Sequence, residues 1–157
     1  MVASQAFGAS ENWFFYSLNA WTQQAHLFMG DGAVIDFFGW SVALFGDTAL
    51  VSAIRDEVGT ITDQGTAYVF TRTGTVWTQQ AQLVARDGAA SDPFGWSVAL
   101  LGDTALVGVN LDDVGANTDQ GSPYVFICSG TSWSQQARLV AGDGLFDDGY
   151  ETPNPAP

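Results

Sequence analysis

The chain has 157 residues, 46% of them hydrophobic and 13% aromatic, enough for a buried core. Seventeen acidic residues against four arginines and no lysine leave a formal net charge of -13. That balance excludes a nucleic-acid ligand, which needs a basic stripe to displace counterions, and it disfavours an anionic membrane surface.

In chain order, the opening MVASQAFGASENW lacks a basic start and a long apolar core, so no signal peptide is expected. Residues 1–11 read as irregular. No apolar run approaches the roughly 20 residues a membrane helix requires, so no membrane insertion is expected. WTQQA then stands at Trp21–Ala25 and again at Trp77–Ala81, and returns as WSQQA at Trp133–Ala137, 56 residues apart each time. Residues 21–76 and 77–132 align without a gap, with 35 of 56 positions identical. Repetition at this period marks an array of one supersecondary unit.

Within one unit, Gly95–Leu101 alternates Trp96, Val98 and Leu100 against Ser97 and Ala99, the period of a strand. Gly102-Asp103 is a hairpin link, since glycine accepts the positive φ such turns need. Thr104–Val109 follows as a second strand and Leu111–Gly121 as a polar loop. Ser122–Cys128 is a third strand, and Trp133–Ala141 a fourth, with Trp133, Gln135, Ala137 and Leu139 expected on one side. Four antiparallel strands per unit form a β-propeller blade. Small Ala99, Ala105 and Gly108 suit sheets stacked closely, and Trp96, Tyr124, Phe126 and Trp133 are expected to fill the space between them.

These residues carry a family likeness. Phe38-Gly39 and Phe94-Gly95, each followed by WSVAL, together with Tyr68–Phe70, Tyr124–Phe126 and the WTQQA strand, resemble the bacterial branch of the FG-GAP repeat, the blade unit of integrin α-subunit propellers. The Gly-Ala-Pro half is degraded to Ser52–Ile54 and Gly108–Asn110. The resemblance implies an all-β fold of propeller-type blades of four antiparallel strands: two complete blades at 38–84 and 94–140 and a partial one at 12–28. In family order the WSVAL strand is innermost and the WTQQA strand outermost. Asn12–Ser17 then supplies a third strand and Trp21–Phe28 a fourth. Residues 141–157 diverge and read as a disordered tail. About two and a half blades do not close a ring of the usual four to eight, so the chain is not a closed ring as a monomer. It is expected either to self-associate through exposed blade faces and edges or to be a truncated remnant of a longer secreted propeller.

The resemblance also implies a calcium-binding loop between the first two strands, but here Gly46-Asp47-Thr48 and Gly102-Asp103-Thr104 offer too few oxygens for that ion. The carboxylates left for Ca2+ lie in the second-to-third-strand loops: Asp112, Asp113, Asn117 and Asp119 in one unit, Asp56, Glu57 and Asp63 in the other. Their competing role is to form turns with their own backbone. Asp31-Gly32, Asp87-Gly88 and Asp143-Gly144, with Asp36, Asp92 and Asp148, recur between units and read as turn formers. Identical pairs cannot separate two pKa values as a hydrolase would require. His26 stands alone at a variable strand position, and Ser41 and Ser97 lack a nucleophile elbow. Cys128 has no neighbouring histidine or lysine to activate its thiol. No other cofactor is expected. The implied function is a non-enzymatic, extracellular binding or adhesion module contacting protein or glycan through blade loops. The alternatives are a structural remnant without a ligand and a carboxylate-based hydrolase. Arg55 against Leu111 and Ile61 against Asn117 differ between units without an evident focus.

Overall fold

The structure, a computed structural model, describes residues 22–141. It contains two four-stranded antiparallel sheets, each a simple meander in which every strand pairs with the next along the chain. The first sheet comprises β1 (Phe38–Phe45), β2 (Thr48–Ala53), β3 (Thr66–Thr73) and β4 (Val76–Leu83). The second comprises β5 (Ser97–Leu101), β6 (Thr104–Val109), β7 (Ser122–Ser129) and β8 (Ser132–Arg138). No helix and no closed barrel or ring occurs among the described residues.

The β1–β2 and β5–β6 hairpins turn at Gly46 (φ 57) and Gly102 (φ 56). Positive φ at the first residue of a two-residue link matches the twist of the flanking strands. In the first sheet Asp47 then reaches across to β3: its Oδ1 accepts from Arg72 at 2.6 Å. Cys128 replaces Arg72 in the second sheet and keeps only the backbone bond to Asp103.

The sheets stack face to face. The far face of the first sheet carries Leu50, Ala67, Val69 and Leu83. The near face of the second carries Ala105, Val107, Tyr124 and Phe126, and Phe94 joins them in one buried cluster. Side chains on opposite faces of a strand alternate, so each sheet has two faces with which a neighbour can pack. Phe94 meets Tyr124 and Phe126 edge-on, with ring centroids 5.8 and 5.9 Å apart. Burial of one such ring stabilises by about 1.5–3 kcal/mol. Ala105 is fully buried at the junction, as its small size suggests. Hydrogen bonds from Phe94 N to Gln64 O (3.0 Å) and from Val98 N to Ser41 Oγ (3.1 Å) lock the register between sheets.

The near face of the first sheet is Ala49, Val51, Ala53, Tyr68 and Phe70, covered in part by Leu27 and Met29. Of the expected partial blade, Asn12–Ser17 and Trp21 lie outside the described residues, and 22–29 carry no strand. They nevertheless occupy the position of an outer strand. Trp133 Nε1 donates to Gln80 Oε1, and one repeat earlier Trp77 Nε1 donates to Gln24 Oε1. The expected tail beyond residue 141 also lies outside the described residues, as does Asp143-Gly144 with Asp148.

Two expectations of side-chain direction are corrected. Trp96 does not fill the space between sheets; it is 43% exposed and stands beside Trp40. Nor do all the alternate residues of the outer strand share a side. A register shift between Val69 and Phe70 on β3, and between Val125 and Phe126 on β7, places a bulge in the opposite strand. An extra residue reverses the alternation beyond it. Trp77 consequently packs on the near-face cluster, whereas Ala81 and Leu83 of the same strand belong to the far-face one.

Candidate functional site

The second-to-third-strand loops place the expected calcium ligands apart. Each loop is pinched by a single bridge, Val58 to Ile61 and Val114 to Asn117. Asp56 and Asp112 turn inward from the loop base and are buried. Asp56 accepts from Thr66 Oγ1 at 2.6 Å and Tyr68 Oη at 2.5 Å. Asp112 accepts from Ser122 Oγ and from Tyr124 Oη at 3.3 Å, and pairs with Arg138 at 2.8 Å. The remaining residues serve their own loop. Asp113 Oδ1 accepts from Asp119 N, and Asn117 Nδ2 donates to Gln120 Oε1. Asp63 and Asp119 take left-handed φ of 52° and 53° at the turn, and Glu57 faces solvent. Among the described residues no three His, Cys, Asp or Glu side chains gather as a metal site would require.

The repeated interblade aspartates hold structure together. Asp92 Oδ2 accepts from Ala89 N at 3.1 Å, closing a local turn, and Asp36 does the same with Ala33 N. Asp31 and Asp87 do more than the sequence indicated. Asp31 Oδ1 lies 3.2 Å from Tyr68 Oη, and Asp87 Oδ2 accepts from Arg138 Nη1 at 3.1 Å, so each ties the interblade link to the following sheet. Burial, and next the hydrogen bond to Asp56, raise the Tyr68 phenol above its ordinary value. Burial and Asp112 do likewise to Tyr124. Both phenols remain protonated and donate to the carboxylates beneath them. Cys128 is pushed up by burial and then by the Asp103 carboxylate, away from the thiolate form that reacts. His26 is exposed. It borders a shallow open cavity of about 230 Å³ with Leu27, Phe28, Phe70 and Trp77, where it is the sole titratable lining residue.

One constellation was not legible in the sequence. Trp40 (48% exposed) and Trp96 (43% exposed) lie with ring centroids 5.2 Å apart, side by side at the start of adjacent inner strands. Phe37 continues the row, 6.1 Å from Trp40, and the Arg55 guanidinium sits 5.2 Å over the Phe37 ring. Phe37 and Arg55 are not repeated; Pro93 and Leu111 hold their places in the second unit. The expectation that differences between units lack a focus is therefore corrected: two of them meet here. Phe37 and Ile35 are held at φ of 54° and 78°, a left-handed conformation that is costly for such side chains. Backbone strain of this kind concentrates where a structure presents a site. The signals in the sequence were the mismatches of Phe37 with Pro93 and of Arg55 with Leu111, which nothing local connects.

Comparison with known families agrees with this architecture. A family model described as FG-GAP repeat matches residues 21–70 and 77–126, together 100 of the 157 residues. The second matched stretch begins on the outer strand β4 and ends on β7, so the recurring unit spans the junction between sheets. No curated protein matches the chain significantly.

Proposed function

Because the chain belongs to the FG-GAP repeat family, we propose that it is a non-enzymatic binding module of the cell exterior that holds a neutral glycan on the Phe37–Trp40–Trp96 row. The observation that carries this reading is the meeting of the unrepeated Arg55 and Phe37 with the half-exposed Trp40–Trp96 pair. Rings that only packed the blade would be buried, whereas Phe37, Trp40 and Trp96 are all half-exposed, and Phe37 has no counterpart in the second unit. Indole faces stack on the apolar C–H faces of pyranose rings, and a guanidinium at the end of the row supplies fixed hydrogen-bond donors. The surrounding charge of -13 favours a neutral ligand over an anionic one. Asp56 and Asp112 are committed to hydroxyl and guanidinium donors, which supports binding over carboxylate chemistry.

The test is titration of tryptophan emission with neutral oligosaccharides. Saturable quenching should be lost in Trp40→Ala and Trp96→Ala and weakened roughly tenfold, about 1.4 kcal/mol, in Arg55→Ala. Quenching that survives in the Trp40→Ala/Trp96→Ala double variant would remove the glycan reading. A second reading, a purely architectural unit with no ligand of its own, is favoured by the open far face of the β5–β8 sheet.

A further inference from the structure

We propose that this chain docks onto a second copy of itself head to tail, the far face of the β5–β8 sheet of one molecule receiving the near face of the β1–β4 sheet of the next. The internal junction shows what such a face takes. On the first sheet Leu50 and Leu83 are buried beneath the second sheet. Their counterparts one repeat later, Leu106 and Leu139, are each 40% exposed. The complementary half is open as well. Val98 and Leu100 of β5 pack into the internal junction, whereas their counterparts Val42 and Leu44 on β1 are 66% and 68% exposed. The described residues thus display, on the two outward faces of the sheet pair, both sides of an interface they already build once between the sheets. Repeat arrays gain their stability from such neighbour contacts, and an open apolar end face is adhesive.

The outer half of the first sheet's near face is held by Leu27 and Met29, in the place β8 would take. Docking in the register of the internal junction replaces them. Gln136 of the other copy, one repeat after Gln80, then succeeds Gln24 as the acceptor for Trp77. The contact joins unlike faces, so it propagates or closes into a ring instead of stopping at a twofold pair.

Light scattering on the full chain across a concentration series tests this. The wild type should rise in mass with concentration, and Leu106→Arg and Val42→Arg should each be monomeric. Mixed one to one, the two variants should form a dimer and nothing larger, because one intact face remains on each. Leu139→Glu and Leu44→Glu repeat the test at independent positions, and circular dichroism establishes that each variant is folded. A wild type monomeric at every concentration overturns the proposal. So does association that survives Val42→Arg but not Leu106→Arg, which would mean two far faces meeting, and so does association that survives both.

Discussion

The indole Nε1 of Trp133 donates to Oε1 of Gln80, 3.0 Å away across the junction between the sheets. Trp77 and Gln24 repeat the relationship at 3.4 Å. Gln80→Leu removes the acceptor and leaves a half-buried indole N–H unpaired, an expected loss of about 1 kcal/mol. Gln24 is exposed, and water can replace it, so Gln24→Leu is expected to cost a few tenths at most. Urea midpoints of the two variants should separate in that order.

The glycines of the two Phe-Gly pairs are expected to differ although the motif is the same. Both are left-handed, at φ 90° for Gly39 and 96° for Gly95. A Cβ at Gly39 meets nothing within 4 Å, whereas one at Gly95 would stand 2.6 Å from Ser52 Cβ. Gly39→Ala then costs about 1 kcal/mol from backbone conformation alone. Gly95→Ala adds overpacking of about 1–3 kcal/mol. Equal melting temperatures for the two variants would contradict this assignment of the clash.

Asp112 and Asp56 occupy equivalent places but have different partners. Asp112→Asn strips the charge that faces Arg138 and is expected to cost about 2–3 kcal/mol. Asp56 is held by two hydroxyls, which an amide oxygen can still accept, so Asp56→Asn should cost about 1 kcal/mol. Arg138→Gln reproduces the first sheet, where Gln82 Nε2 donates to Tyr68 Oη. In that background the penalty of Asp112→Asn should fall towards that of Asp56→Asn, as a double-mutant cycle would reveal.

Burial raises the carboxyl of Asp92 above its ordinary value; Asp112 and Asp113 add to it, while Ala89 N–H and Arg138 oppose. A raised folded-state pKa means that the folded form holds the proton more tightly. The associated stability is present below the unfolded pKa and lost as pH rises through the folded one. Asp92→Asn keeps an acceptor for Ala89 N–H and carries no charge. It should therefore be more stable than the wild type at neutral pH and indistinguishable from it below about pH 3. A pH-independent difference in unfolding free energy would exclude this origin.

Much of the fold was legible because the repeat fixes it. Thr104–Val109 is the expected second strand to the residue, and the Gly46 and Gly102 turns stand where their glycines demanded. What escaped is three-dimensional. Alternation places Trp133 and Ala137 on one side only while the ladder is regular, and the bulge lies in pairing with β7, which no local pattern reports. Asp56 and Asp112 look like loop carboxylates because the hydroxyls that capture them lie about ten residues onward, on the next strand. Arg55 and Phe37 are 18 residues apart and meet only through the fold.

The bulge in each outer strand gives the unit a polarity. Trp77 serves the neighbour before it and Leu83 the neighbour after it, from one strand, only because an extra residue intervenes. Deleting Gln80 would straighten the ladder and turn the indole towards the wrong neighbour. Such an array tolerates the gain or loss of a whole unit far better than the loss of a single letter in WTQQA.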